Sequence, residues 1–351
     1  MYVDSKRVYR EINNGNPIFK KRISDNAAVT KEIISENPPF PKTKFLLEVS
    51  NACNDTCIFC YNRFMSRKLG NINEEIAKKA LTEAHELGMS EVGFYATGEP
   101  LLNPRLEEYI RYATDIGYSY TYITTNGALA NLDRFKSLVN SGLKSIKFSI
   151  NALTDSDYRK IHGTNDFELV IKNLKDIYEY KIQNQLNINV FVSVIKTRYT
   201  EYEDKQIREK FEKITDEIVI LDARNQGGWM PCVTELLTPC KTSCSQMTFC
   251  NMPFNSITIS KEGFVTACCT DFQNALAYAD LNKTSLIEAW NNRKIVELRK
   301  KHLSGELDGC LCNRCMNNKL TPYEPISDEL YVKEDVTDAL VYAEVQKRIV
   351  R

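Results

Sequence analysis

The chain has 351 residues, long enough to bury a large core, and its 46 basic and 46 acidic side chains leave it without net charge. The balanced charge disfavours nucleic acid and acidic membrane surfaces as partners and favours a small molecule or a protein. No apolar segment is long enough for a signal peptide or a membrane span, so we expect a cytoplasmic protein whose cysteines bind metal or act in catalysis.

Short apolar segments alternate with amphipathic ones over the first two thirds of the chain, which predicts successive strand and helix units. We expect strands at residues 44–49, 91–95, 118–124, 144–150, 187–195 and 217–221. The expected helices lie at residues 73–87, at 104–117, in the segment that ends near 140, at 166–178 and at 201–214. Such alternation requires a parallel sheet with right-handed crossovers, either open or closed into a full or partial barrel.

This alternation stops near residue 225, where a cysteine-rich segment begins. That segment predicts a hairpin at residues 256–268 and one long helix at 285–303. A further helix is expected at residues 336–348. A small second module, held together by metal, is therefore expected after the sheet.

Three of the 12 cysteines, Cys53, Cys57 and Cys60, stand on the loop after the first expected strand. Enzymes built on parallel sheets carry their chemistry at this end of the strands. A structural zinc site needs four protein ligands, and no fourth cysteine or histidine lies nearby in the sequence, which disfavours a zinc knuckle. Three thiolates on a four-iron cluster would leave one iron open.

The spacing Cys53-x3-Cys57-x2-Cys60, with the aromatic Phe59 before the last cysteine, resembles the signature of the radical S-adenosylmethionine (SAM) superfamily. The resemblance implies that the three cysteines hold a [4Fe–4S] cluster whose open iron chelates the amino and carboxylate groups of SAM. It also implies reductive cleavage of SAM to a 5′-deoxyadenosyl radical that abstracts a substrate hydrogen.

The segment after the second expected strand, Thr97-Gly98-Glu99-Pro100, is similar to the GGEP motif of that family, with Thr97 in place of the first glycine. The resemblance implies that Gly98, Glu99 and Pro100 hold the amino group of the methionine moiety.

Two more positions match family contacts to the cofactor: Asn126 follows the third expected strand, and Ser149 lies at the end of the fourth, at a ribose-contacting position. Asn151 stands where many relatives carry Asp. Arg159 and His162 are candidates for the methionine carboxylate, but we expect both to be surface residues of a helix and leave them out of the site.

The late cysteines resemble the C-terminal SPASM and twitch extensions of the superfamily, whose pattern is a cysteine, a Gly-x4-Cys hairpin and a late CxxC. Here these elements are Cys250, Gly263 with Cys268, and Cys312 with Cys315. No further cysteine follows, so the resemblance favours a twitch-like module in which those four cysteines hold one auxiliary [4Fe–4S] cluster. A zinc site made of the same thiolates is the alternative.

Cys244 and Cys310 are rival ligands for the auxiliary cluster. Cys232, Cys240 and Cys269 have no assigned task. Most cysteines of this kind are buried and unreactive. The more specific hypothesis is that one of the three donates a hydrogen atom to a substrate radical.

The sequence thus predicts an α/β protein, a partial (β/α)6 TIM-type barrel followed by a small C-terminal cysteine-rich iron–sulfur domain. The expected organisation is an N-terminal extension (1–43), a radical SAM partial barrel (44–224), an auxiliary-cluster domain (225–322) and a C-terminal tail (323–351) with a helix.

The leading hypothesis for function is oxidation or epimerisation of a sugar-like or aminocyclitol substrate, since residues 1–43 are too few for the peptide-binding domain that some peptide-modifying relatives carry. A ribosomal-peptide or protein maturase is the second hypothesis, and a non-catalytic iron–sulfur or zinc protein is the third. The expected partners are a carbohydrate-like small molecule or a peptide as substrate and an electron donor such as flavodoxin or ferredoxin, with neither nucleic acid nor membrane.

Overall fold

Six parallel strands in chain order form the larger part of one sheet. The computed structural model describes residues 34–200, 202–237 and 250–350, so most of the expected N-terminal extension, Cys240 and Cys244 lie outside the described residues. The six strands are β1 Phe45–Leu47, β2 Glu91–Gly93, β3 Tyr120–Thr125, β4 Ser145–Ser149, β5 Asn189–Lys196 and β6 Glu217–Asp222. All six were predicted, with ends that differ by a few residues.

Helices connect consecutive strands and cover the sheet. They are α1 Glu74–Glu86, α2 Leu106–Ile116, α3 Leu132–Asn140, α4 Asp155–His162, α5 Phe167–Gln183 and α6 Asp204–Phe211. The side chain of Asn73 caps α1 by accepting from the backbone N–H groups of Glu75 and Ile76, and Gly117 ends α2 in the left-handed region at φ 113°. Local capping chemistry thus places α1 and α2 where the sequence predicts them.

The cysteine-rich segment extends the same sheet. Its strands are β7 Ile257–Ile259, β8 Phe264–Thr266 and β9 Ala277–Asp280. β7 pairs in parallel with β1, and β8 and β9 follow as antiparallel strands, so the sheet order is β6-β5-β4-β3-β2-β1-β7-β8-β9. The fold is therefore a mostly parallel α/β sheet with a cysteine-rich C-terminal part attached to the edge of β1. The hairpin β7–β8 was predicted, and β9 was not.

The remaining helices are short, except for two. They are α7 Pro231–Leu237, α8 Met252–Asn255, α9 Leu286–Trp290, α10 Arg293–Ser304, α11 Leu311–Asn317 and α12 Asp338–Val350. The single helix expected at residues 285–303 was wrong, because the chain breaks between α9 and α10 and the Asn292 side chain caps α10 by accepting from Lys294 N–H.

A buried ion network joins the two parts of the sheet. Arg67, just beyond the cysteine loop, forms an ion pair with Glu48 at the end of β1 and a second one, at 2.6 Å, with Glu262 in the β7–β8 turn. Burial by itself would raise the pKa of Glu262, but the charges of Arg67 and Lys261 outweigh it and hold that pKa at about 2. Because a buried charge left without its partner is costly, this network fixes the C-terminal part against the first strand.

Candidate functional site

The loop after β1 carries Cys53, Cys57 and Cys60, each a free, half-buried thiol. Burial raises the pKa of Cys53 and Cys57 well above that of an ordinary thiol and the pKa of Cys60 to about 11. The cysteines are therefore neutral on their own, and a bound metal would supply the charge that favours the thiolate. The site has the donor set that an iron–sulfur cluster requires.

The spacing of the sulfur atoms matters for the choice of metal. Among the described residues, the group of three metal-binding side chains whose ligand atoms all lie within 4.8 Å of one another is Asp55, Cys57 and His162. Cys53, Cys57 and Cys60 do not form such a group, although sulfur ligands of one tetrahedral zinc ion, at bonds of about 2.3 Å, would lie about 3.8 Å apart. The wider spread fits a cluster of several irons better than a single zinc ion.

His162 was expected on the surface, and that expectation is wrong. The residue is 1% exposed, its Nδ1 lies 2.7 Å from Asp55 Oδ2, and its Nδ1 lies 3.6 Å from Cys57 Sγ. The backbone N–H of Asn151 donates to Nε2 at 3.3 Å, which leaves the proton on Nδ1 to donate to Asp55. His162 thus orients the loop that carries Cys57, while Arg159 is exposed and paired with Asp155, as a surface residue would be.

The last turn of α4 also holds the loop through backbone hydrogen bonds. Thr56 N–H donates to His162 C=O and Ile58 N–H donates to Ile161 C=O, both at 2.9 Å. The sequence analysis expected Arg159 and His162 on a helix but gave that helix no bounds, although its signals were present: Thr154 caps it, Asp155 lies in its first turn, and a glycine in the left-handed region ends it. The helix matters because its carboxyl end is one wall of the cysteine loop.

Glu99 lies beside the cysteine loop, 3% exposed. Its carboxylate accepts from Asn126 N–H at 2.8 Å, from Thr125 Oγ1 at 2.7 Å and from Leu101 N–H at 3.0 Å. Burial raises the pKa of Glu99 to about 7, against the lowering effect of these hydrogen bonds. The structure therefore brings together two of the predicted cofactor-binding residues, Glu99 and Asn126.

The backbone packs closely around Gly98. A Cβ atom at this position would lie 2.5 Å from Ala52 C=O and 2.6 Å from Ser50 C=O, so only glycine allows the turn to approach the cysteine loop. Thr97, which replaces the first glycine of the family motif, donates its hydroxyl to Glu48. The replacement is thus accommodated by a side-chain hydrogen bond, and Pro100 opens the short helical turn that follows.

The other predicted contacts reach the same end of the sheet from different directions. Asn126 Nδ2 donates to Asn54 Oδ1 in the cysteine loop at 2.9 Å. Ser149, at the end of β4, has its hydroxyl 3.3 Å from that of Ser193 on β5, on the far side of the site from β2. Phe59 is buried and belongs to the hydrophobic core.

The late cysteines converge from three elements. Cys250 precedes α8, Cys268 follows β8, and Cys312 and Cys315 lie on α11, all of them half-buried. Burial, together with the charges of Cys268 and Cys250, raises the pKa of Cys315. Cys250 and Cys268 therefore lie near enough to Cys315 to affect its pKa.

Two further thiols lie next to these four. Cys310 caps α11 by accepting from Cys312 N–H at 3.4 Å, and Cys269 follows Cys268 directly. Both remain close enough to replace one of the four predicted ligands, so the ligand set stays a prediction.

The last helix, α12, reaches back to the cysteine loop. Arg348 donates to the backbone C=O of Thr56 and, at 3.2 Å, to its hydroxyl, and Arg63, three residues after Cys60, lies 3.5 Å from Glu344. No pattern in the sequence pointed to this contact, because its partners lie nearly three hundred positions apart.

Two family profiles match the chain. That of the Radical SAM superfamily matches residues 47–217, and that of an iron-sulfur cluster-binding domain, SPASM, matches residues 250–316. Among the described residues, no helix has both the length and the apolar character needed to cross a membrane.

The chain is similar to curated proteins of several activities. It is 29% identical over 135 residues to a probable GTP 3′,8-cyclase of Saccharolobus solfataricus, a match covering 38% of this chain and 43% of that protein. It is 29% identical over 126 residues to a PqqA peptide cyclase of Gluconobacter oxydans, covering 36% of this chain and 35% of the relative. These matches thus span less than half the length of either relative.

Solved structures share the fold over more of the chain. The crystal structure of BtrN in complex with AdoMet and 2-DOIA is 20% identical with a TM-score of 0.53 and covers 83% of this chain and 97% of that one. Streptococcus suis SuiB bound to the precursor peptide SuiA is 16% identical with a TM-score of 0.59, covering 91% and 82%. At these identities the likeness shows the fold.

Proposed function

We propose, from the premise that this chain belongs to the radical SAM superfamily and carries a C-terminal iron–sulfur cluster-binding domain of the SPASM type, that it abstracts a hydrogen atom from a substrate carbon. Its cofactors are SAM and [4Fe–4S] clusters, including an auxiliary cluster. The observation that carries the proposal is the three-cysteine loop at the carboxyl end of β1, packed against the buried carboxylate of Glu99.

The residues of this loop have distinct roles in the proposal. Cys53, Cys57 and Cys60 would hold a [4Fe–4S] cluster, and its remaining iron would be open to SAM. Glu99, between Gly98 and Pro100, would accept from the amino group of SAM, and Asn126 and Ser149 would line the site. When bound, the reduced cluster supplies the electron that cleaves SAM to a 5′-deoxyadenosyl radical; the protein positions the substrate carbon and excludes competing reactions.

The second cluster has a different task. Cys250, Cys268, Cys312 and Cys315 would occupy all four irons, as expected of the twitch-like form of the module. A fully ligated cluster has no open site for substrate and suits electron transfer. We therefore propose that such a cluster would take up the electron when a substrate radical loses one electron and one proton. Flavodoxin or ferredoxin would supply the separate electron that cleaves SAM.

For the substrate we propose a sugar-like or aminocyclitol molecule that is oxidised or epimerised. The support is that the matching fold spans 97% of the BtrN chain, whose structure contains AdoMet and 2-DOIA. Peptide maturation is the second candidate, and its support is the fold shared with SuiB, whose structure contains a precursor peptide, together with the sequence similarity to PqqA peptide cyclase.

Formation of 5′-deoxyadenosine tests the reaction class. The full chain, reconstituted with iron and sulfide without oxygen and then reduced, is expected to convert SAM to 5′-deoxyadenosine, and a variant with Cys53, Cys57 and Cys60 all changed to Ser is expected to form none. If the wild-type protein forms none either, the chain is a non-catalytic metal protein and the proposal is wrong.

Deuterium transfer separates the two substrate classes. Amino sugars and aminocyclitols deuterated at their carbinol carbons, and peptides deuterated at their α-carbons, are incubated separately with the reduced enzyme. Deuterium in 5′-deoxyadenosine from the first set supports the sugar-like substrate. Transfer from the peptides alone would replace it with the second candidate.

A redox-neutral epimerase must also return a hydrogen atom to the substrate radical. Cys232 and Cys269 are half-buried thiols without an assigned ligand role. Transfer of an S–H hydrogen would complete the inversion and leave a thiyl radical, which one electron from flavodoxin or ferredoxin and one proton would return to the thiol. Serine variants of Cys232, Cys240, Cys244, Cys269 and Cys310 identify the donor. Epimerisation through a thiol is excluded if each variant still gives inverted product.

A further inference from the structure

A cavity of about 570 Å³ lies beside both cysteine groups. Its walls come from five parts of the chain: the end of the first cysteine loop, the segment before α7, the helix α11, the segment between α11 and α12, and the start of α12. The residues that define it are Tyr61, Trp229, Arg314, Tyr323, Tyr331 and Glu334. Its volume is in the range of small-molecule sites.

The cavity is lined by residues that neighbour both groups of cysteines in the sequence. Tyr61 directly follows Cys60 in the first cysteine group, and Arg314 lies between Cys312 and Cys315 in the second. A molecule in this cavity would contact both modules.

Aromatic rings form much of the wall. The ring centroids of Tyr61 and Trp229 are 5.2 Å apart, and those of Trp229 and Tyr323 are 5.8 Å apart with the planes at 82°. Trp229 is 2% exposed, so these rings are held rigidly by the surrounding core. The negative faces of aromatic rings attract cations.

The ionic side chains that line the cavity carry one net negative charge. Among the residues that line it, Arg314 is basic and Glu334 and Asp338 are acidic. Arg314 forms an ion pair with Asp338 at 2.7 Å, whereas Glu334 accepts from the neutral hydroxyls of Tyr323 and Tyr331. A carboxylate has about four acceptor sites, so the two phenols leave room on Glu334 for another donor.

We infer that this cavity binds a cationic amine group, with its charge on Glu334 and its carbon skeleton against Tyr61, Trp229 and Tyr323. The inference rests on the proposed function in taking the amine as part of the substrate. Both an amino sugar or aminocyclitol and a lysine side chain of a peptide offer this chemistry.

Calorimetric titration of the cluster-loaded full chain with SAM tests the inference. The probes are glucosamine and Nα-acetyl-lysine methylamide, each compared with the neutral molecule in which the amine is acetylated. We expect at least one amine to bind, and to bind about tenfold or more tightly than its acetylated counterpart, the difference typical of a charge-assisted hydrogen bond. Which amine binds distinguishes the sugar from the peptide source.

Variants of Glu334, Tyr331 and Glu329, which all lie between α11 and α12, test whether Glu334 binds the amine. Glu334→Gln should abolish the preference for the amine, and Tyr331→Phe, which keeps the charge, should weaken it only slightly. Glu329→Gln is the matched control, because Glu329 is exposed and paired with Lys294 away from the cavity. Equal binding of amine and acetylated probes, or an unchanged preference in Glu334→Gln, would overturn the inference.

Formation of 5′-deoxyadenosine in the same samples separates this site from the reaction. We expect the control variant Glu329→Gln to cleave SAM in the absence of substrate as the wild type does, with the same iron content. If the wild type binds amines through Glu334 but forms no 5′-deoxyadenosine, the proposed function fails and the amine site stands.

Discussion

Burial of the Glu99 carboxylate changes its pKa and therefore its ability to bind a cation. Three protein donors already contact its carboxylate, yet burial raises its pKa to about 7. Its charge is therefore marginal at neutral pH until a cation arrives. A positively charged amino group at this position would bind the ionised form and keep it ionised.

Glu99→Gln is accordingly expected to weaken SAM binding by about tenfold or more, because the neutral amide loses the charge and turns a donor towards Asn126 N–H. In the wild type, SAM affinity should fall between about pH 8 and about pH 6, since protons compete with the amino group for a carboxylate of raised pKa. Equilibrium dialysis of the cluster-loaded protein measures both effects. Glu108→Gln, at an exposed position paired with Arg105, is the control, and a variant at Glu99 that binds SAM as the wild type does would contradict the assignment.

His302 illustrates a residue whose effect is on stability alone. It is buried on α10, its ring meets that of Phe254 edge-on at 6.2 Å, and neither ring nitrogen has a partner among the described residues. Burial lowers its pKa to about 4. Between that value and the ordinary histidine pKa, the unfolded chain binds more protons than the folded one, so acid destabilises the fold.

His302→Leu should therefore reduce the acid sensitivity of the fold. As pH falls from about 7 to about 5, the wild type should lose about 2 kcal/mol more unfolding free energy than the variant. Urea unfolding of the cluster-loaded protein at the two pH values measures the difference, in which all other titrating groups cancel. Equal losses in the two proteins would show that the histidine is solvated.

At the scale of elements, local signals placed most strands and helices. The Asn73 cap, the Gly117 stop and the β7–β8 turn were readable because each depends on residues within a few positions of one another. The helix expected at residues 285–303 failed because two consecutive asparagines end α9 and cap α10, a break that hydrophobic periodicity alone does not show.

The docking of α12 on the cysteine loop belongs to this scale as well. Arg348 binds the backbone of Thr56, between Cys53 and Cys57, and Val345 anchors the helix in the core. The helix thus holds the loop next to the end of α4, where Arg348 packs against Gly163.

Arg348→Gln should loosen that loop and speed the loss of iron from the first cluster to a chelator by several-fold, roughly what one or two charge-assisted hydrogen bonds allow. The decay of visible absorbance after addition of a chelator measures the rate. Lys347→Gln, on the exposed side of the same helix, should leave it unchanged. If both variants lose iron at the wild-type rate, the helix does not support the cluster.

On the scale of the whole molecule, the two metal-bearing parts form one body because β7 pairs with β1. The cysteine loop follows β1, and Cys268 lies just beyond the strand that pairs with β7. Arg67 reinforces the same seam through Glu48 and Glu262. A shared sheet keeps the distance between the two clusters constant, which an electron path requires.

Iron and sulfide counts test this organisation. The wild-type chain should hold about eight irons, and either the Cys53, Cys57, Cys60→Ser variant or Cys312→Ser with Cys315→Ser should hold about four. Zinc is measured alongside. If the wild type holds only about four irons and also contains zinc, the late cysteines form a zinc site and the predicted auxiliary cluster is wrong.

The sequence by itself determined what depends on nearby residues: the three-cysteine loop, the Gly98-Glu99-Pro100 turn, the alternation of strands and helices, and the late hairpin with its CxxC. These features follow from spacing, capping and turn chemistry, which act within a few positions along the chain. The alternation of strands and helices was enough to predict the α/β fold class, and the resemblance of the motifs to the radical SAM superfamily implied the cofactors.

Only the tertiary structure decided which distant residues meet. It placed His162 against Cys57, Arg348 against Thr56, and Glu334 in a cavity with Tyr61 and Trp229. The physical reason is that these contacts come from packing between segments separated by a hundred residues or more, and no local pattern of polarity or spacing records such a meeting.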